Sequence, residues 1–231
     1  MVITLSRQAE SGGEEIAQLA AERLGLQIAD RAILERIAQR EGLPVAHLAV
    51  FDEAVPGAVE AVITEWRTSM SHPVYLRRLV HILITLERED NVLIMGRGAA
   101  FVLTDPGTLH VRVVAPIPHR VAAMMQREGV SPAEAERALT RSDAARARFV
   151  RRAFEADIEA CCHYDLTLNT AELAAEEAAE IIILAAQRKA PRRAVLAETP
   201  EDLLAQVLGF QRRPRFPRVS EVVWRHYRRR A

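Results

Sequence analysis

The sequence predicts an α/β domain, a parallel sheet with helices on both faces, and three observations carry that expectation. Short apolar runs rich in Val, Ile and Leu alternate along the chain with segments of helical periodicity. The runs are short, β-branched and mostly apolar, as in the strands of a buried sheet. Gly, Asp, Asn or Pro bounds most of them, which marks where strand gives way to loop.

Taken in order, Val2 to Leu5 is the first strand, Ser6 to Gly13 a loop, and Glu14 to Leu24 a helix. Ile16, Leu19, Ala20 and Leu24 recur three and four residues apart and so share one core-facing stripe, with Gly25 as the stop. Leu26 to Ala29 reads as a short second strand, and Asp30 as the N-cap of a helix bearing Ile33, Leu34 and Ile37. Gly42 to Gly57 holds two prolines and little periodicity. Helical segments follow at about Ala58 to Met70 and Pro73 to Arg88, the second with Leu76, Leu79, Val80, Leu83 and Leu86 in register. Asn91 to Met95 and Leu109 to Val114 are further strands, each leading into a helical pattern. A charged helical stretch from Pro132 to Ala160 interrupts the alternation before a last strand, Tyr164 to Leu168, and a last helix, Thr170 to Ala186. Beyond about Ala190 the composition turns to Pro and Arg, with one short helical pattern at Pro200 to Leu208.

Bulk properties narrow the function classes. With 231 residues and 49% hydrophobic content the chain can bury a full core, which excludes a disordered or fibrous protein. Thirty-one basic residues balance 31 acidic ones, so the whole chain has no electrostatic signature of a nucleic-acid or membrane-surface binder. No run reaches membrane-spanning length, and Met1 to Ser6 lacks the pattern of a signal peptide. The two cysteines, Cys161 and Cys162, are neighbours that cannot easily bridge each other and lie in no zinc-like spacing. A reducing cytoplasm is the expected compartment.

Three segments have the residue types that phosphate chemistry requires. Ser11-Gly12-Gly13 lies between a strand and a helix, where glycines let backbone N–H groups approach an anion and the helix N-terminus favours negative charge. A standard phosphate loop also extends a lysine, and none lies here; Glu10, Glu14 and Glu15 add negative charge, with Arg7 the nearest cation. Gly96-Arg97-Gly98 sits at the C-terminal end of a strand, where an arginine between glycines can offer a two-pronged donor to a phosphate. On a helix, Asp143 and Arg146 share a face, so that the carboxylate can hold the guanidinium, with Arg148, Arg151 and Arg152 close by. A solvated, ion-paired helix face accounts for this third segment as well.

In order, these pieces resemble the cytidylate-kinase-like family of P-loop nucleoside monophosphate kinases, from Val2 to about Leu184. The likeness is carried by Ile3 to Ile16, Ala29-Asp30-Arg31, Ile94 to Ala99, Arg127 to Ser131, Ser142 to Arg148 and Tyr164 to Thr170. It implies a five-stranded parallel core at residues 1–188, with a nucleotide-binding helical insert at about 30–89, a lid at about 141–162, and a basic C-terminal extension at 189–231. By the same resemblance Ser11, Gly12 and Gly13, with Arg7, face the donor phosphates, and Asp30, Arg31, Gly96 and Arg97 line the acceptor site. Arg97, Asp143, Arg146 and Arg148 then act in catalysis, with ATP and magnesium as companions. The sequence departs from its relatives at Glu10, where they show glycine, and at Glu14, where they show a basic or small residue.

Three readings follow. The first is an enzyme moving the γ-phosphoryl of ATP to a pyrimidine nucleoside monophosphate such as CMP. A second is a relative with a degenerate loop that binds nucleotide without turnover. Nucleic-acid binding rests only on the arginine-rich tail with Trp224 and Tyr227, which a solvated tail or a homodimer contact explains equally well.

Overall fold

The computed structural model describes residues 1–29 and 72–189. Its strands are β1 (Val2–Arg7), β2 (Gln27–Ile28), β3 (Val92–Met95), β4 (Leu109–Val114) and β5 (Leu166–Asn169). They form one five-stranded sheet in the order β2-β3-β1-β4-β5, and every pairing is parallel. The described helices are α1 (Gly13–Leu24), α2 (His72–Glu89), α3 (Ala99–Val102), α4 (Ile117–Glu128), α5 (Pro132–Phe154) and α6 (Ala175–Arg188), with a 3₁₀ turn at Cys161–His163. The expected sheet is therefore present, with helices on both faces. The expected acceptor residues Asp30 and Arg31, most of the insert, and residues 190–231 of the C-terminal extension lie outside the described residues.

Alternation along β1 divides the core into two layers. Val2 points with Val92 and Ile94 into a cluster built on α2, where Leu79, Val80, Leu83 and Leu86 are buried. Ile3 and Leu5 point the other way, with Leu93, Val111 and Val113, against α1 and α6. Ala17, Ala20 and Ala21 of α1 and Ala178, Ala179 and Ala186 of α6 all belong to this second cluster. Small side chains let the two helices approach closely over the sheet. α1 ends as its Gly25 predicts: the residue is left-handed (φ 66), and Leu26 N–H reaches back to the Ala21 carbonyl at 2.8 Å, completing a Schellman motif.

Some boundaries move from the sequence reading. The charged helix begins at Pro132 behind a Ser131–Glu134 capping box but ends at Phe154, because Glu155 turns left-handed (φ 52). That turn sends the chain back towards the sheet, burying Ile158 and Tyr164, and the Tyr164 hydroxyl donates to the Ile158 carbonyl at 3.0 Å. β5 consequently starts two residues later than expected, at Leu166. The last helix starts at Ala175 rather than Thr170, because Asn169 and Thr170 commit their side chains to backbone groups outside it: Asn169 Oδ1 accepts from Ala171 N–H at 3.1 Å in the turn that follows β5, and Thr170 Oγ1 donates to the Ser11 carbonyl of the β1 loop at 2.9 Å.

Candidate active site

The C-terminal edge of the sheet carries the features expected from the sequence, and the backbone there is distinctive. Gly96, Arg97 and Gly98 are all left-handed, at φ 65, 54 and 68, making a single turn closed by Ala99 N–H to the Gly96 carbonyl at 3.1 Å. For Arg97, with its Cβ, this costs about 1 kcal/mol or more. The residue is held there by its own side chain, whose Nη1 donates to the Ala29 and Met95 carbonyls, both at 3.2 Å. Gly98 is fixed by sterics as well as by φ: a Cβ at this position would lie 2.2 Å from Cε2 of Phe154. The end of α5 is thus seated directly on the Arg97 turn.

The loop after β1 is braced from several sides. Gln8 N–H donates to the Val113 carbonyl at 3.0 Å, and Gln8 Oε1 accepts from Ala115 N–H at 3.1 Å. Ser11 is buried, and its hydroxyl donates to the Gln8 carbonyl at 2.8 Å. Glu10 adopts φ 59, a left-handed conformation that a glycine would adopt freely, and its carboxylate meets Arg127 at 2.7 Å. Burial, outweighing the Arg127 charge, pushes the Glu10 carboxyl above its usual range. Glu14 is paired too, its Oε1 accepting from Nε of the buried Arg7 at 2.7 Å.

Beside β1 and the Arg97 turn lies a small open cleft of ≈ 30 Å³, lined among others by Thr4, Ser6, Arg7, Arg97, Phe101 and Arg146. Three arginines from β1, from the turn after β3 and from α5 thus face one space, and among the described residues its lining contains no carboxylate. Gly96 also lines it. Ser11, Gly12 and Gly13 lie on the α1 side of Arg7 and do not line it. Asp143 and Arg146 are 3.9 Å apart on α5 at the expected i,i+3 spacing, but the shorter contact of Asp143 is to Arg120, at 2.8 Å. Arg146 is additionally hydrogen-bonded to Ser142 Oγ at 2.8 Å. Arg148 is exposed and does not line the cleft, since two residues along a helix lie on nearly opposite faces.

Two groups went unseen in the sequence. Arg120, on α4, is buried and donates to the Ala115 carbonyl at 2.9 Å and the Ala9 carbonyl at 3.3 Å while pairing with Asp143, so one guanidinium joins the β1 loop, the end of β4 and α5. A polar row, Thr4, Ser6, His110 and Arg112, lies under the cleft. Thr4 Oγ1 contacts His110 Nδ1 at 2.7 Å, and Arg112 donates to Ser6 Oγ at 3.1 Å and to Glu159 at 2.6 Å. The alternation of His110 and Arg112 with apolar residues in Leu109–Val114 was the available signal, because a strand apolar on both faces would carry neither.

Among the described residues no three His, Cys, Asp or Glu side chains converge as a metal site, and no helix is long and apolar enough to cross a membrane. A phosphate loop turns to magnesium the hydroxyl of the residue after its lysine; counted along Ser11-Gly12-Gly13-Glu14 that residue is Glu14, whose carboxylate is paired with Arg7, so the described residues do not supply that hydroxyl.

Comparison with known proteins agrees with this fold. The model of the cytidylate kinase-like family matches residues 2–172. The cytidylate kinase of Archaeoglobus fulgidus is 24% identical over 190 residues, 82% of this chain and 96% of that one. A uronate isomerase of Corynebacterium glutamicum is 29% identical over 103 residues, 44% of this chain, which spans only 20% of that enzyme. A solved structure of an uncharacterized protein from Eubacterium ventriosum superposes with a TM-score of 0.57 at 18% identity, covering 82% of this chain and 99% of that one, a likeness of fold.

Proposed function

The chain belongs to the cytidylate kinase-like family, and from that premise we propose that it transfers the γ-phosphoryl group of ATP to a nucleoside monophosphate, with a pyrimidine nucleotide such as CMP as acceptor. The observation that supports this most is the convergence of Arg7, Arg97 and Arg146 on one cleft at the C-terminal edge of the sheet whose lining, among the described residues, has no carboxylate. Phosphoryl transfer asks little covalent chemistry of a protein; it asks for in-line positioning and for positive charge around the moving group. In this reading Arg97, rigid on its left-handed turn, holds the acceptor phosphate, and Asp30 and Arg31 orient the acceptor nucleoside. Arg146 approaches from α5, in the segment assigned to the lid, and stabilises charge as the phosphoryl group moves. Asp143 positions rather than touches. Arg148 reaches the phosphates only if the lid segment moves. Magnesium enters with ATP as part of the substrate. The same reading puts the reaction in the cytoplasm, where the unbridged Cys161 and Cys162 stay reduced.

A second reading, nucleotide binding without turnover, is favoured by the loop carboxylates. Glu14 already neutralises Arg7, and Glu10 occupies Arg127, at the place where a donor would bring its own negative charge. One experiment separates the two. ADP formation from ATP and magnesium is followed with CMP, UMP, dCMP and AMP in turn, alongside calorimetric binding of each. Turnover highest with a pyrimidine acceptor, lowered at least tenfold in kcat by Arg146→Ala, is expected. Binding of a monophosphate with no ADP formed in any combination would leave the binding module as the function.

A further inference from the structure

We infer that Arg7 takes the place of the missing phosphate-loop lysine and that Glu14 is its displaceable counter-ion. This rests on the reading above, in which the loop at Ser11–Gly13 faces the phosphates of a donor. Gly13 directly follows the left-handed Gly12 and opens α1, the position at which a phosphate loop carries its lysine. Here a side chain is excluded. A Cβ on Gly13 would lie 2.7 Å from Cβ of Arg7, 3.1 Å from its Cδ and 3.2 Å from its Cγ. The stem of Arg7, coming off the end of β1, fills the volume that a lysine stem would need. Lysine at 13 and arginine at 7 are therefore alternative ways of bringing one cation to one place.

Three further features fit that role. Arg7 lines the cleft with Arg97 and Arg146, so it stands between the loop and the acceptor side, where a group in transfer must pass. Its side chain is only 6% exposed, so its position is set by packing, whereas Glu14 is 60% exposed and can rotate into water. The ion pair is made through Nε, one edge of the guanidinium. A phosphate chain carries more charge than a carboxylate and makes charge-assisted hydrogen bonds with a guanidinium, so it competes well with Glu14 for Arg7. In the free protein, Glu14 contributes to compensating the buried guanidinium; in the complex, phosphate oxygens take over that contribution.

The test uses the full chain and two probes, ATP with magnesium and inorganic tripolyphosphate, which has the phosphates but no base. Arg7→Ala should weaken both at least tenfold, and Glu14→Gln should tighten both by severalfold. Arg7→Ala combined with Gly13→Lys should restore most of the loss, because the vacated stem volume now admits lysine. A merely structural arginine would show no such rescue. Native-like binding by Arg7→Ala, or a double variant no better than the single one, overturns the inference. Should Arg7→Ala fail to fold, Glu14→Gln decides: unchanged tripolyphosphate affinity refutes the displaced counter-ion and with it the inference. The kinase reading fails separately, by an absence of ADP formation in the wild type while the tripolyphosphate pattern holds.

Discussion

Nη2 of Arg120 lies 2.8 Å from Oδ2 of Asp143, and the same guanidinium donates to the Ala9 carbonyl of the β1 loop. Asp143 is on the helix expected to act as a lid, so the pair ties the loop mechanically to α5. Asp143→Asn keeps the shape and removes the charge. Because Arg120 is buried while Asp143 is partly exposed, the loss is discounted from the cost of breaking a fully buried pair to about 1 to 3 kcal/mol. A fall of several degrees in Tm by calorimetry, with weaker ATP affinity, is expected. Unchanged melting with unchanged affinity would mean that the loop and helix are not coupled through this pair.

Arg97 has two functions that one pair of variants can separate. Arg97→Gly removes the cation but also removes the left-handed strain, so stability should hold within about 1 kcal/mol. Affinity for CMP should fall by about 2 kcal/mol, roughly thirtyfold, through loss of a charged hydrogen-bond partner. Arg97→Ala should lose the same affinity and some stability as well. If calorimetry finds CMP bound equally by wild type and Arg97→Gly, the guanidinium has a structural role and does not hold the acceptor.

Gly98→Ala should be far more costly than Gly25→Ala, although both residues are left-handed. A Cβ at Gly25 meets nothing within 4 Å and adds only backbone strain, about 1 kcal/mol. At Gly98 the added atom strikes the Phe154 ring, which is stacked on Phe101 at 5.6 Å, so the end of α5 must shift. About 2 to 4 kcal/mol is expected from denaturant unfolding. Adding Phe154→Ala should recover part of the Gly98→Ala loss, and strict additivity of the two would contradict the contact.

His163 sets a pH dependence. Its ring sits edge-on to Phe101 at 5.0 Å, and burial lowers its pKa from 6.5, with the Asp157 charge opposing the shift. The folded state therefore resists protonation that the unfolded state accepts. Stability from this group is fully present above pH 6.5 and declines as pH falls from there through the lower, folded pKa. Melting curves between pH 7 and pH 5 should show the decline, and His163→Phe should flatten it. Glu10 has the opposite sign, since its raised pKa relieves strain on acidification, so the two are best compared in Glu10→Gln and His163→Phe backgrounds.

The sequence alone determined the layer architecture and the parallel sheet, because strand burial and helical periodicity are local properties of residues such as Ile3, Leu5, Ile16 and Leu83. It also picked out Arg7, Arg97 and Arg146, since glycine-flanked loops and an i,i+3 charge pair leave short-range marks. Only the tertiary structure decided that these arginines share one cleft, because β1, β3 and α5 meet through contacts between residues some 50 to 140 positions apart in the chain. It alone revealed Arg120, whose partners Ala9, Ala115 and Asp143 come from three elements and whose own surroundings, His119 and Val121, are unremarkable. The same holds for Gly13, which looked like one more loop glycine until the stem of Arg7 was found lying across it. Pattern reports what each residue prefers by itself, whereas excluded volume and ion pairing depend on which residues the fold brings together.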